Sequence, residues 1–352
     1  MKIIKSDSSQ TIKEAVKTLK AGGILIYPTE TCYGVGVDAT NIEAVTNVLE
    51  YKKRPAGKPI SVGISSLEMA KEYVEINKNA ENIYNELLPG PITVVSKSLK
   101  KVDVRLESEN GNLGIRYSSN KLLQKIINEF GKPITTTSAN TNGKKTPYSV
   151  DDILNNINEK QKELIGLIID FGELPKNKPS TVIDTTTDKL KTYRGGDVNI
   201  KEDSRKVTTN SYEETIKLGS ELMSENINSL KDTALLFKLS GDLGAGKTHF
   251  VKGIARALEV EKNIKSPTYT YVSEYKLENK NKLYHLDAWR LKSALDVEAL
   301  EIGSWFKKGN VIAIEWPGVL KQLEFDFKSN SKIIEIFITA PTKEKRNFII
   351  ND

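Results

Sequence analysis

Apolar positions in the first 200 residues fall into short runs separated by segments of helical spacing. Ile24-Leu-Ile-Tyr27, Ile60-Ser-Val-Gly-Ile64, Ile92-Thr-Val-Val95, Ile134-Thr-Thr-Thr137, Leu167-Ile-Ile-Asp170 and Thr181-Val-Ile-Asp184 are rich in β-branched residues and read as strands. Residues 11–20, 42–49, 81–87 and 121–130 carry apolar side chains every three or four positions, the period of a helix with one buried face. This mixture predicts an open α/β sheet, partly antiparallel. The pattern lapses at residues 201–210, a polar stretch that reads as a linker, so a domain over residues 1–200 and a second over 211–352 are expected.

The second half opens with Ser211-Tyr-Glu-Glu214, a Ser followed three residues on by a Glu, which predicts a capping box and a helix to about Met223. The apolar run Ala234-Leu-Leu-Phe-Lys-Leu-Ser240 then leads into Gly241-Asp-Leu-Gly-Ala-Gly246-Lys247-Thr248. These residues fit G-x-x-x-x-G-K-[ST] in the context that gives the string meaning: a strand to aim the loop, glycines that let backbone N–H groups close around phosphate oxygens, and a helix starting at the anion. Gly241, Asp242, Leu243, Gly244, Ala245, Gly246, Lys247 and Thr248 are therefore nucleotide-binding candidates. Lys247 would reach the β- and γ-phosphates, and the Thr248 hydroxyl would serve Mg²⁺. Further on, residues 269–277 and 282–286 predict a β-hairpin, and Val311-Ile-Ala-Ile-Glu315 a buried strand ending in a carboxylate. Glu315, beside the loop, is placed to share the metal with Thr248, and Asp287 to orient water or complete the metal's shell.

At 352 residues the chain has room for two cores. A net charge of +6 tilts it mildly toward polyanions, which phosphate-bearing small ligands satisfy as well as nucleic acid does. The single cysteine, Cys32, excludes an internal disulfide framework and reads as a small buried strand residue. No apolar run reaches about 18 residues, and Met1-Lys-Ile-Ile-Lys-Ser-Asp lacks a signal-peptide core, so a cytoplasmic protein without membrane attachment is expected.

Hydroxyls and cations recur at strand ends along the first half: Pro28-Thr-Glu-Thr31, Lys52-Lys-Arg54, Lys58-Pro59, Gly114-Ile-Arg116, Thr136-Thr-Ser-Ala-Asn140, Pro179-Ser-Thr181 and Arg194-Gly195. In this order and spacing they resemble the YrdC/TsaC family of L-threonylcarbamoyladenylate synthases over residues 10–196. The resemblance implies a twisted mixed sheet with helices and a nucleotidyltransferase reaction, in which L-threonine, bicarbonate or CO₂, and ATP give threonylcarbamoyl-AMP and pyrophosphate. That product is the precursor of N6-threonylcarbamoyladenosine at position 37 of tRNA. It implies catalytic roles for Lys52, Arg54 and Lys58 at the triphosphate, with Ser138, Asn140, Thr146 and Arg194 near the nucleotide. Thr31, Arg116, Thr136 and Ser180 would hold threonine, the Arg116 guanidinium gripping its carboxylate. Gly63 departs from relatives that carry a larger polar residue near the amino acid.

The second half carries Ser266-Pro-Thr268-Tyr, His285-Leu-Asp287-Ala-Trp-Arg290 and Ile314-Glu315-Trp316-Pro317, and resembles the TsaE family of small P-loop ATPases over residues 211–350. The resemblance implies a P-loop NTPase-like α/β domain, with Asp287 catalytic and Thr215 near the nucleotide base. Trp289 replaces the usual Tyr, and His249 a small residue. Trp316 reads as an aromatic wall at the site or as core packing. Together the two resemblances imply a fusion of consecutive functions in tRNA modification, using Mg²⁺ and docking a TsaD-type transferase with a TsaB-like protein. An RNA-binding regulator with an ATPase switch, or a small-metabolite kinase, are the readings that compete.

Overall fold

The computed structural model describes residues 1–54, 57–187, 190–196, 198, 204–262, 264–267, 270–291, 293–323, 325, 327 and 331–352. The chain divides into two compact units, Met1–Val198 and Asn199–Asp352.

The first unit is built on a ten-stranded mixed sheet. Its order is Lys2–Ile4, Ile165–Ile169, Ile24–Pro28, Tyr33–Gly36, Ile134–Ser138, Ser61–Gly63, Asn112–Arg116, Ile92–Lys97, Thr181–Asp184 and Lys191–Arg194. All six expected strands are present, and the apolar ones are buried on both faces because helices cover them. The Lys121–Phe130 helix shows how. Asn120 caps its first turn through Leu123 N, Gly131 closes it in the left-handed conformation, and Leu122, Leu123, Ile126, Ile127 and Phe130 form its buried stripe. That stripe joins Leu19 of the Ser9–Lys20 helix and Leu25, Tyr27 and Ile134 of the sheet in one core. Cys32 is buried, but in the loop between Ile24–Pro28 and Tyr33–Gly36 rather than in a strand.

The second unit has a seven-stranded sheet in the order Arg205–Thr209, Arg346–Asn351, Ser331–Thr339, Ala234–Gly241, Val311–Glu315, Lys282–Asp287 and Val272–Lys276. Ala234–Gly241 runs parallel to both of its neighbours, so strand ends facing the same way gather around Gly241. The expected hairpin forms between Val272–Lys276 and Lys282–Asp287; Tyr269, where it was expected to begin, lies outside the described residues.

Two boundary expectations change. Residues 201–203 of the expected linker lie outside the described residues, but Arg205–Thr209 is a strand paired with the distant Arg346–Asn351. The polar sequence hid it because its partner lies some 140 positions away (Arg205 opposite Ile350) and only Val207 packs on the core. At the next helix, Tyr212–Asn226, the Ser211 hydroxyl accepts from Glu214 N as expected, yet the Glu214 carboxylate takes the N–H of Asn210 instead of that of Ser211. The cap is reciprocal in effect and displaced by one residue.

The Tyr212–Asn226 helix crosses the Lys247–Ala257 helix at two glycines. A Cβ on Gly253 would lie 2.0 Å from the Ile216 carbonyl oxygen, and one on Gly219 2.3 Å from that of Phe250. The missing side chains let the backbones touch and seat the helix that follows the phosphate loop. Gly253→Ala should therefore destabilise the second unit by about 1–3 kcal/mol, seen as a lower urea midpoint for that unit with the first unit's transition unmoved. An unchanged midpoint would show that the helices part without cost.

Candidate nucleotide and amino-acid sites

In the first unit, strand ends and loops enclose a cavity of about 600 Å³. Thr31, Arg116, Thr136 and Ser180, expected at the amino acid, all line it, as do Lys52, Arg54, Ser138, Asn140, Thr146 and Arg194. The sheet brings them together: Thr136 pairs with Ser61, Gly63 with Arg116, and Arg116 with Thr93, whose hydroxyl lies 2.9 Å from that of Ser180. Lys58 alone of the expected set does not line the cavity. Its side chain is exposed, and its carbonyl is held by Arg54 Nε at 3.1 Å.

Lys52 differs from expectation in orientation. It is the last residue of the Ile42–Lys52 helix and is buried, with its ammonium donating to the carbonyls of Ser138, at 2.5 Å, and of Asn140. Its donors engage the turn that presents the Ser138 hydroxyl and the Asn140 amide, so it shapes the cavity wall of which it is itself a part. Burial, then the charge of Arg54, push its ammonium down to about 8. Lys53 ends the helix in a left-handed conformation, and Arg54 then clamps the carbonyls of Lys58 and Pro59. Arg194 reaches back to Ser180, with Nε on its carbonyl at 3.0 Å and Nη2 on its hydroxyl at 2.9 Å. Gly63 is filled from across the sheet: the Thr136 methyl lies 2.6 Å from where a Cβ would sit.

Glu30, inside Pro28-Thr-Glu-Thr31, is a further participant. Glu30 pairs with Arg116 at 2.6 Å, both side chains being buried. Nη1 of Arg116 is buried without a hydrogen-bond partner.

In the second unit, Gly246 precedes the Lys247–Ala257 helix at φ 103°, a conformation suited to glycine, and no side chain caps the helix. Its first-turn N–H groups are thus turned to the loop. Gly241, at φ 146°, passes so close to Ile338 that a Cβ would lie 2.4 Å from that carbonyl. Lys247 Nζ donates to the carbonyls of Gly241 and Asp242, each at 2.9 Å, and lies 3.9 Å from the Trp316 ring centroid. Burial pushes this ammonium down to about 8 against the opposing pull of Glu315, Asp242 and Asp287. Trp316 is buried within the core of the unit and also lies against this ammonium. It holds a left-handed φ of 61°, rare for so bulky a residue, and stacks obliquely on Trp289.

Thr248 Oγ1 donates to Glu315 Oε1 at 2.9 Å, and the same oxygen meets His285 Nε2 at 2.9 Å. Burial raises the Glu315 carboxyl, but His285, Lys247 and Thr248 outweigh it and the net shift is downward, toward the anion. Asp287 stands opposite Glu315 on the neighbouring strand and accepts from Trp289 N. A hydroxyl and a carboxylate so close, with a second carboxylate alongside, fit a hard divalent cation that keeps waters and phosphate oxygens as its other ligands. Among the described residues there is no cluster of three or more His, Cys, Asp or Glu able to hold a metal by itself.

Thr215 is the residue expected near a base. It is wholly buried, its hydroxyl 2.8 Å from that of Thr209 and 3.1 Å from the Ser211 carbonyl. What the helix start presents instead is Tyr212, stacked on His249 with ring centroids 4.3 Å apart and covered by the Arg346 guanidinium at 4.7 Å. Arg346, a charged residue leading an apolar run, also lies against Gly246 and was not foreseen. Thr268 lies outside the described residues.

The folds and sites define a chain of two nucleotide-handling α/β units. The family model Sua5_yciO_yrdC, described as "Telomere recombination", matches residues 17–196, just over half of the chain. The model described as "Threonylcarbamoyl adenosine biosynthesis protein TsaE" matches residues 209–348. The chain belongs to the Sua5/YciO/YrdC family and carries a TsaE domain fused behind that domain. A Methanocaldococcus jannaschii relative is 34% identical over 190 residues, spanning 54% of this chain and 87% of its own. A threonylcarbamoyl-AMP synthase of Vibrio campbellii is 29% identical over 185 residues, 51% of this chain and 97% of the relative. Among solved structures, Pyrococcus abyssi Sua5 complexed with L-threonine shares the fold with a TM-score of 0.53 at 20% identity, covering 89% of this chain and 91% of that one.

The buried ammonium of Lys52 yields a test. With a folded value of about 8 below the ordinary lysine value, the folded state binds fewer protons than the unfolded one between those two points. Stability should therefore rise with pH across that window, the burial cost being at its full size below the folded value. Lys52→Met should flatten this rise in the first unit's urea midpoint from pH 8 to about 10. An unchanged slope in the variant would show that the charge is not buried at a cost.

Proposed function

We propose that the first unit makes threonylcarbamoyl-AMP and pyrophosphate from L-threonine, bicarbonate or CO₂, and ATP, and that the second hydrolyses ATP in support of the transfer to tRNA. The observation that carries the first half is Arg116: a buried guanidinium on the cavity wall with one nitrogen unpaired, beside Arg54 and Arg194. The likeness to threonylcarbamoyl-AMP synthases supports the choice of substrates.

Arg116 takes the amino acid's carboxylate while the hydroxyls of Thr31, Thr136 and Ser180 surround its side chain and amino group. Arg54 and Arg194 neutralise the triphosphate, with Ser138, Asn140 and Thr146 along the nucleotide. Lys52 acts through the turn it holds, and Lys58 through its main chain. The carbamate oxygen formed on threonine attacks the α-phosphorus as the bond to the β-phosphate oxygen breaks and pyrophosphate departs. No covalent link to the protein forms, so the residues act by placing the two anions in line and balancing charge.

In the second unit Lys247 and the first-turn N–H groups hold the β- and γ-phosphates. Thr248 and Glu315 would hold Mg²⁺, which neutralises charge on the phosphates when bound. Asp287 orients the attacking water. The unit works with a TsaD-type transferase and a TsaB-like protein in the cytoplasm; among the described residues no helix is long and apolar enough to cross a membrane.

Mass spectrometry of a reaction of the full chain with ATP, L-threonine, bicarbonate and Mg²⁺ tests this reading. Threonylcarbamoyl-AMP and pyrophosphate should appear together. Arg116→Ala should lower their formation at least about 100-fold, the scale for removing a charge-stabilising donor. Lys247→Ala should leave synthesis intact and reduce ATP hydrolysis by a comparable factor. Absence of the adenylate with the wild-type chain would defeat the proposal, and equal loss of both activities in the Lys247 variant would defeat the division of labour.

A further inference from the structure

We infer that Glu30 is a positioning residue for the amino-acid site: it fixes the Arg116 guanidinium so that one nitrogen, Nη1, is presented to the substrate carboxylate. The inference rests on reading the first unit's cavity as the site for L-threonine.

Glu30 lies between the strands Ile24–Pro28 and Tyr33–Gly36, with only 6% of its side chain exposed against 8% for Arg116. Each carboxylate oxygen has its own partner. Oε1 accepts from Arg116 Nη2 at 2.6 Å, and Oε2 accepts from the Ser118 hydroxyl. The main chain is held as well, since the Glu30 carbonyl accepts from Asn177 Nδ2 at 2.7 Å. The preceding Thr29 hydroxyl ties the loop, accepting from the N–H groups of Thr31 and Cys32 and donating to the Cys32 carbonyl. A carboxylate anchored at so many points has little freedom to follow the arginine, so the arginine must conform to it.

The guanidinium is a rigid fork whose five N–H groups point in fixed directions. Once Nη2 is committed to Glu30, the direction of Nη1 is set, and Nη1 is the buried nitrogen left without a partner. A buried donor in that condition is costly unless a ligand satisfies it. Glu30 also supplies the counter-charge that lets the guanidinium stay buried. The pair as a whole is neutral, so it favours a carboxylate that meets Nη1 in the right geometry over an anion drawn by charge alone. The opposite role would be that of a carboxylate competing with the substrate for the arginine. The separate nitrogens argue against it, because Glu30 holds Nη2 and leaves Nη1 without a partner.

Steady-state kinetics on the full chain with Glu30→Gln decides the matter. The amide keeps the size and one accepting oxygen but loses the charge-assisted bond. KM for L-threonine should rise about 10- to 100-fold, the equivalent of one charge-assisted hydrogen bond, with KM for ATP and kcat within about threefold. Ser118→Ala, which frees Glu30 Oε2 alone of the carboxylate and also releases the N–H of Asn120, should shift the same constant in the same direction by a smaller factor. It carries the test should the Gln variant fail to fold. Calorimetric titration with L-threonine should reproduce the loss as weaker binding. An unchanged or lower KM for threonine in both variants overturns the inference, and a fall in kcat with both KM values raised marks a general structural role and overturns it too. A wild-type chain that makes no adenylate would instead defeat the underlying reading of the cavity.

Discussion

Each unit holds a buried ammonium against main-chain carbonyls, and its site is shaped around that arrangement. Lys52 binds the turn at Ser138 and Asn140, while Lys247 binds the loop at Gly241 and Asp242. Carbonyl dipoles compensate a buried cation less fully than carboxylates do, and burial accordingly presses both ammoniums down to about 8. A site that withholds a full counter-charge from its lysine keeps a positive potential for an anionic ligand. The two lysines use this differently. Lys247 sits within the loop its ligand would occupy, whereas Lys52 is part of the cavity wall and braces the turn beside it.

Around Lys52 the first unit divides charge between pairing and exposure. Arg116 is neutralised on one side by Glu30, while Arg54 and Arg194 are bound mainly to main-chain oxygens and a hydroxyl. The cavity wall thus combines one guanidinium paired with a carboxylate and two bound to oxygens without charge. The second unit concentrates its polar chemistry into one line, His285 to Glu315 to Thr248, at the end of two adjacent parallel strands.

Much of this was legible in the sequence because the strong signals are local. The buried strands announce themselves by β-branched runs, and the phosphate loop by glycines whose backbone angles and close approaches no other residue tolerates. The cavity residues were legible as a set because their order matched a family. What escaped is tertiary. Lys52 and Lys58 look alike in sequence, and only packing shows that one is buried in the cavity wall and the other exposed away from it. Thr215 looks available until the helix turns its hydroxyl inward. Glu30 stood inside a recognised motif, yet its importance depends on Arg116, 86 positions away. Arg346 gave only the faint signal of a charge leading an apolar strand.

The strand Arg205–Thr209 bears on how the second unit can exist apart from the first. It covers one flank of Arg346–Asn351, a strand whose other flank is taken by Ser331–Thr339. Arg346 in turn reaches Tyr212 and Gly246 at the phosphate loop. A fragment trimmed at residue 210 would leave a row of N–H and C=O groups open along a wholly buried strand of sequence RNFIIN, the kind of edge that recruits other chains. The segment that reads as mere tether is thus a guard against self-association, and the natural cut between the two activities falls before it.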